Sequence, residues 1–338
     1  MRRGLVGAIL MWAVLAAAGG GPVLGAADLS SEKQIYVVKV SDDRLRVWIP
    51  HTSTDWIRFE MRRYTNAGIQ LDAWRLNTVY TFSTPSSVDP FDSYLIERGP
   101  SLAWTTQGSN FEYGIRLAGR PDFFGGQHGD ELLQSIAVRF DGHPVDFPGG
   151  LRSGEVITGP WFEVVQHTVM FDPADQSQKV GDMHTRYTFS AEGLRLEWDF
   201  TWHGDYPVSL AYGAMFPATR SPQTAAAFQF MDDETVYDIS YPGHRAPGKN
   251  SRGLRMFGSE NDWEFTLEIS SGFFNGYKYT NGRGLWVYDG EAYNKVYPTR
   301  VYSPFTEHVR AGDTWSLSAT YRLSRKASVE PATVGGDQ

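Results

Sequence analysis

Between residues 194 and 203 the chain alternates without exception. Leu194, Leu196, Trp198, Phe200 and Trp202 are interleaved with Arg195, Glu197, Asp199, Thr201 and His203. A period of two over ten residues fits a strand with one dry and one wet face, and it cannot lie along one side of a helix. The pattern recurs from Trp263 to Ile269, where Glu264, Thr266 and Glu268 take the other face, and in the run Trp315, Leu317, Ala319, Tyr321, Leu323. Further strands are expected over 35–40 and 44–49, joined by a Ser41-Asp42-Asp43 turn, and over 56–64, 69–81, 111–117, 133–140 and 161–171. No window of similar length carries a 3.6-residue apolar stripe with caps, and residues 224–231 are where a short helix is expected. The chain therefore reads as all-β: a large antiparallel two-sheet β-sandwich with little helix, because a single open sheet of this size would leave its faces uncovered.

The ends read differently. Arg2 and Arg3, an apolar run from Leu5 to Ala18, and the small residues Gly25, Ala26 and Ala27 fit an export signal over residues 1–27. Residues 28–325 are expected to form a single β-sandwich catalytic domain, and 326–338, with Pro331 and two glycines, a disordered tail. With the signal cleaved, no stretch is long enough to span a bilayer, so the protein is expected to be secreted or periplasmic. The absence of cysteine excludes disulfides, thiolate metal ligands and a cysteine nucleophile. It suits a domain large enough to stand on its own core.

The formal charge is −8, and loss of the two positive charges of Arg2 and Arg3 makes it −10. Nucleic acid is not an expected partner, since such proteins show a basic face. An anionic sugar polymer stays open, because a local arginine cluster sets the field of a cleft whatever the total charge. The 11 Trp, 17 Tyr and 20 Phe residues fit a protein that stacks rings on sugars, and they also fit a large β core.

Chemistry concentrates at residues 122–132, Asp-Phe-Phe-Gly-Gly-Gln-His-Gly-Asp-Glu-Leu, on a connection between strands. Gly125, Gly126 and Gly129 allow a tight turn that presents Gln127, His128, Asp130 and Glu131. A polysaccharide lyase must neutralise a uronate carboxylate, remove the adjacent proton and protonate the leaving oxygen. His128, Gln127, Glu131, Tyr277 and Arg62 are the catalytic candidates for those tasks. Arg58, Arg120, Asp130, Tyr279, Trp198, Lys278 and Trp286 are the candidates for holding substrate. The stretch from Tyr277 to Tyr302 carries six tyrosines with Trp286, Lys278, Arg283, Lys295 and Arg300, and reads equally as a sugar platform or as a hairpin packed on the sandwich edge.

Glycoside hydrolysis needs two carboxylates flanking the scissile bond. Asp130 and Glu131 are adjacent and point apart on extended backbone, so one of them would need a distant partner such as Glu197, Asp199 or Glu291. His128, Asp130 and Glu131, with His143, His167, His184 and His203, are ligand types, but no His-x-His or His-Glu-x-x-His spacing supports zinc. No cofactor is expected, with calcium in the Asp-rich loops left open. No Gly-x-Ser-x-Gly elbow supports a serine hydrolase.

The segment from Tyr187 to Pro217, a Gly-containing turn leading into the long alternating strand and then Val208 to Pro217, resembles the central strand pair of the galactose-mutarotase-like super-sandwich. The resemblance implies a two-sheet sandwich with a carbohydrate cleft, on a fold shared by sugar epimerases, polysaccharide lyases and accessory domains of glycoside hydrolases. Aldose epimerases carry a His near the start of the partner strand, where this chain has Ala211-Tyr212-Gly213-Ala214. A second resemblance is to alginate-lyase-like jelly-roll enzymes, with Arg58-Phe59-Glu60-Met61-Arg62 and Tyr277-Lys278-Tyr279 matching two of their motifs. Gln127-His128 departs from the third, which has an intervening residue. The expected function is that of an exported enzyme cleaving a polysaccharide, by β-elimination of a uronate-containing polymer. The alternatives are a glycoside hydrolase on the same fold and a non-catalytic carbohydrate-binding envelope protein.

Overall fold

Alternation decides the architecture. In the strand Gly193–Trp202, Leu194, Leu196, Trp198, Phe200 and Trp202 are all buried, while Arg195 and Asp199 are exposed. The computed structural model describes residues 33–326 apart from 90, 106–110, 148, 244–246 and 292. The proposed signal over 1–27 and the tail beyond Lys326 lie outside the described residues. Among the described residues, no helix is long and apolar enough to cross a membrane.

Two sheets make up the fold. The larger runs, neighbour to neighbour, through Val236–Asp238, Ala227–Phe230, Gly253–Phe257, Trp263–Ile269, Thr314–Arg325, Gly193–Trp202, Asp175–Ser190 and Trp161–Asp172. It continues through Glu131–Phe140, Leu71–Ser83, Asp55–Asn66, Arg44–Pro50, Ile35–Ser41 and Val156–Gly159. The smaller runs Gly248–Lys249, Leu285–Asp289, Tyr293–Val301, Tyr206–Gly213, Glu307–Val309, with Phe216–Thr219 paired to Tyr293–Val301 and Tyr113–Leu117 paired to Tyr206–Gly213. Pairing is antiparallel except where Leu71 and Asp72 run parallel to Glu131 and Leu132. In the larger sheet, Trp198 faces Leu317 and Phe200 faces Trp315 across strands, so both rows of large side chains point to one side.

The core lies between the sheets. Trp198 meets Tyr113 of the smaller sheet edge-to-face at 5.9 Å, and Phe216 stacks on Phe265 at 3.5 Å. Side chains one residue out of phase, such as Arg116 and Tyr212 in the smaller sheet and Glu197 and Asp199 in the larger, are left on the two outward faces. A second, smaller cluster of Val38, Trp48, Trp56, Phe82 and Ile96 involves the five-residue helix Ser93–Glu97.

Two expectations about elements are corrected. Residues 224–231 hold the strand Ala227–Phe230, because Phe228 and Phe230 are buried at a period of two; the short helix lies in the excursion after Ser83 instead. Gly193–Trp202 pairs with Asp175–Ser190 and Thr314–Arg325, whereas Tyr206–Gly213 crosses to the smaller sheet. The segment from Val208 onward is thus a strand of the other layer, reached by an arch after Trp202, rather than a hairpin partner.

Candidate functional site

The glycine-rich turn forms as its composition requires. Gly125 and Gly129 adopt φ of +79° and +91°, and a Cβ at Gly129 would strike the carbonyl oxygen of Ile69. That close approach lets the Asp130 N–H donate to Ile69 O at 2.7 Å and the Glu131 N–H to Gln70 O at 2.8 Å, fixing the turn against the start of Leu71–Ser83. Gly126–His128 forms one turn of 3-10 helix, which lifts His128 to the surface.

Glu131, expected to be catalytic, is fully buried. Its carboxylate is ion-paired to the equally buried Arg75 and accepts from the Tyr113 hydroxyl at 2.6 Å, the Thr168 hydroxyl at 2.7 Å and the Gly126 N–H at 3.1 Å. Every lone pair is committed inside the protein, so Glu131 braces the turn from beneath and has no access to a ligand. Gln127 is half-buried and its Nε2 has no hydrogen-bond partner among the described residues.

His128 stands at the head of a row of rings on the outward face of the smaller sheet. It stacks on Phe123 at 4.9 Å, and Phe123 stacks on Tyr212 at 5.9 Å. Tyr212 meets Tyr297 at 4.9 Å, Tyr297 stacks on Trp286 at 4.5 Å and 13°, and Trp286 meets Tyr302 at 5.9 Å. Antiparallel register explains the row: Trp286 lies opposite Tyr297, and Gly114 opposite Tyr212, leaving room for His128 beside the bare Gly114 backbone. The Trp286 indole N–H donates to Thr299 Oγ1 at 3.0 Å and locks that ring in place.

Cations lie along the same row. Arg116 sits 5.2 Å from the centre of Phe123, Lys295 5.1 Å from Tyr297, and Arg283 5.8 Å from Trp286 and 5.4 Å from Tyr302. None of the three forms a salt bridge with a carboxylate among the described residues. Burial raises the Tyr212 hydroxyl well above the ordinary phenol range, nearby Tyr302 adding to this while the charges of Arg116 and Arg283 oppose it. Tyr297 is raised likewise, by burial and by neighbouring phenols. Both therefore stay protonated and able to donate. Although His128 reaches the surface, packing against Phe123 and Gly114 strips water from part of its ring and, with the charge of Lys295, pushes it down to about 4 against the pull of Asp122.

Beside His128 is a crevice of about 340 Å³ lined by Ile69, Pro121, Asp122, Phe123, His128, Asp130, Pro173 and Gln176. Asp130 is buried, accepts from Gln176 Nε2 at 2.7 Å, and has its pKa raised by burial, with Asp172 and Asp122 adding to the rise. Arg120 stands close by, paired with Asp172 at 2.9 Å.

The remaining expected residues are dispersed. Trp198 is 2% exposed and its ring lies between Tyr113 and Phe273, so it has no face to offer a sugar. Arg58 is buried over Trp48, Tyr80 and Phe82 and bonds Glu97 at 2.9 Å; Arg62 lies near Asp43, 3.7 Å away. Both belong to the first strands of the larger sheet and touch no member of the ring row. Tyr277 stacks on Phe274 at 4.8 Å and lines a separate cavity of about 530 Å³ with Asn250, Arg252 and Glu268. Tyr279 is half-buried against the core and Lys278 is exposed. Glu197 and Asp199 face outward on the larger sheet, bonded to Arg195 and Ser316, on the opposite side of the sandwich from His128. Of the expected set, His128, Asp130, Trp286 and, at the rim, Arg120 share one region, while Arg116, Phe123 and Tyr212 complete it unforeseen.

The histidines converge elsewhere. His167 and His184 stack at 4.4 Å, and Asp182 bonds both His167 and His203, at 3.1 and 2.7 Å. Among the described residues, no group of three His, Asp or Glu side chains is arranged to hold a metal ion.

No protein-family model matches the chain, and no curated relative is found for it. Solved structures give likenesses at low identity. An alpha-N-acetylgalactosaminidase from Bifidobacterium bifidum is matched at 8% identity and a TM-score of 0.42, over 82% of this chain and 36% of that one. The galactosidase domain of an alpha-galactosidase-sucrose kinase is matched at 11% and 0.43, over 86% and 42%. The chain thus spans less than half the length of these two proteins. A galactose mutarotase-like protein from Clostridium acetobutylicum is matched at 8% and 0.38, over 86% of this chain and 98% of that one. Galactose mutarotase-like proteins are thus among the solved structures to which the chain is similar.

Proposed function

We propose that this protein acts on an acidic polysaccharide held along the outward face of the smaller sheet, and cleaves it by β-elimination. One observation carries the reading: an unbroken row of rings from His128 to Tyr302 accompanied by Arg116, Lys295 and Arg283, three cations without carboxylate partners among the described residues. The half-buried rings of Phe123, Tyr212, Tyr297 and Tyr302 suit the apolar faces of pyranoses, with the buried Trp286 packed against Tyr297 as their support, and cations left without counter-charges suit uronate groups. Elimination needs a cation against the carboxylate and a proton donor at the leaving oxygen. Arg116 and Arg283 supply the cations, and the Tyr212 hydroxyl on which both charges bear, kept protonated by burial, supplies the donor. Export through a leader over residues 1–27 belongs to the same proposal.

A second reading rests on the crevice. Asp130, held toward its protonated form by burial, and the exposed Asp122 line one cavity, and glycoside hydrolysis uses two carboxylates. Incubation with a panel of uronate polymers separates the two. Unsaturated product absorbing near ~235 nm supports elimination, and new reducing ends without that absorbance support hydrolysis. Binding of glycan with neither signal leaves a carbohydrate-binding protein.

A further inference from the structure

Lys295 is placed as few lysines are. It lies on an outward face, yet only 9% of it is exposed, and its amine stands 5.1 Å from the centre of the Tyr297 ring two residues along. Its cross-strand neighbours are Tyr288 and Pro217, and no carboxylate pairs with it among the described residues. Its charge bears on His128 from the turn, and Glu112, buried behind the sheet, is the acidic group that bears on it. Lysines sunk to this depth usually reach out to water or pair with a carboxylate. Lys295 has no such carboxylate among the described residues, and its sunken position disfavours its charged form. Burial pushes its pKa down to about 8, against the pull of Glu112. His128 is by comparison too weak a base, and Tyr212 and Tyr297 hold their protons.

We propose that Lys295 is the base of the elimination, with Tyr212 as the proton donor to the leaving oxygen; this rests on the acidic-glycan reading of the face. The unprotonated amine takes the proton from the carbon next to the uronate carboxylate. The freed C–H electron pair becomes the new carbon–carbon double bond, and the bond from the neighbouring carbon to the glycosidic oxygen breaks. That oxygen leaves with the proton of the Tyr212 hydroxyl. The ammonium then returns its proton, through solvent, to the phenolate, so both groups end as they began.

The first test needs no substrate. In protein labelled with carbon-13 lysine, the Cε resonance lost in Lys295→Met should titrate with a midpoint near 8; a midpoint above about 10, the ordinary lysine value, overturns the proposal. Lys295→Met should also melt no lower than wild type, since it removes an amine without a carboxylate partner and keeps the chain's bulk; clear destabilisation would mark the residue as structural and overturn the role. The second test uses a uronate oligosaccharide. Lys295→Arg, which keeps the charge, should bind within a few-fold of wild type yet lose roughly 10²–10⁴-fold in turnover. Binding and turnover both near wild type would exclude the lysine while leaving the glycan reading intact. Failure of the wild type to bind any uronate chain would instead sink that reading, and the lysine's role with it. Binding without unsaturated product from the wild type would overturn the role of Lys295 as base.

Discussion

Adjacent carboxylates at Asp130 and Glu131 illustrate how much one position decides. On paper they are equivalent members of a polar turn, but one lines an open crevice while the other is locked to Arg75, Tyr113 and Thr168 in the interior. Removing one partner of a buried pair leaves the other charge uncompensated, so Glu131→Ala should lose about 3–5 kcal/mol of stability in urea titration. A loss under about 1 kcal/mol would show that the cluster does not hold the turn. His128 should behave differently with pH. Its folded pKa, about 4, is below the ordinary 6.5, so between these values the unfolded chain binds the extra proton. Acidification from about 6.5 toward 4 therefore destabilises the fold through His128, and that contribution is absent above this window. Melting curves across that range should fall less steeply for His128→Asn than for wild type; equal slopes would refute the shift. His128 was readable because glycines around a titratable residue mark a presented turn. Glu131 misled because nothing in the sequence says which of two neighbouring acids meets a buried arginine 56 residues away.

Strands were legible from period-two alternation, and their faces were not. The sequence showed Tyr297 and Lys295 two apart, and Trp286 and Tyr288 two apart, yet which side became outward depended on Phe216, Val287 and Val296 packing toward the core. Arg116 and Tyr212 escaped notice for the same reason: each is an unremarkable residue on a short strand until those strands pair and align them with Phe123. The arch between Trp202 and Tyr206 was likewise hidden, since a short connection looks the same whether it turns back within a sheet or crosses to another. The turn that presents His128 is the element most exposed to a single substitution. Gly129→Ala would demand a positive φ of an L-residue and push a methyl into the Ile69 carbonyl. It should cost at least about 1–3 kcal/mol in chemical denaturation and weaken any ligand contact that depends on His128. Wild-type stability in that variant would mean that the turn relaxes freely and does not fix the imidazole.

Charge is distributed unevenly over the molecule, and this gives the strongest check on its proposed ligand. The chain carries a formal charge of −8, so at a distance it repels a polyanion, whereas Arg116, Lys295 and Arg283 make one face locally attractive. Salt acts on both fields, but unequally. The long-range repulsion is screened once the Debye length falls to about 10 Å near 0.1 M, while contacts between a uronate and a partly buried cation persist until much higher ionic strength. Affinity for a uronate oligosaccharide should therefore hold or rise slightly on the first addition of salt and then fall toward about 1 M, where the screening length is only about 3 Å. A neutral oligosaccharide of equal length, held by ring stacking alone, should show no such fall. Replacing Arg116 and Arg283 together by glutamine should flatten the decline for the acidic ligand and bring its affinity close to that of the neutral one. Calorimetric titrations of both ligands across that salt range decide the matter. A salt-independent affinity for the acidic chain, or an unchanged decline in the double variant, would mean that this row of rings and cations is not where the polyanion lies.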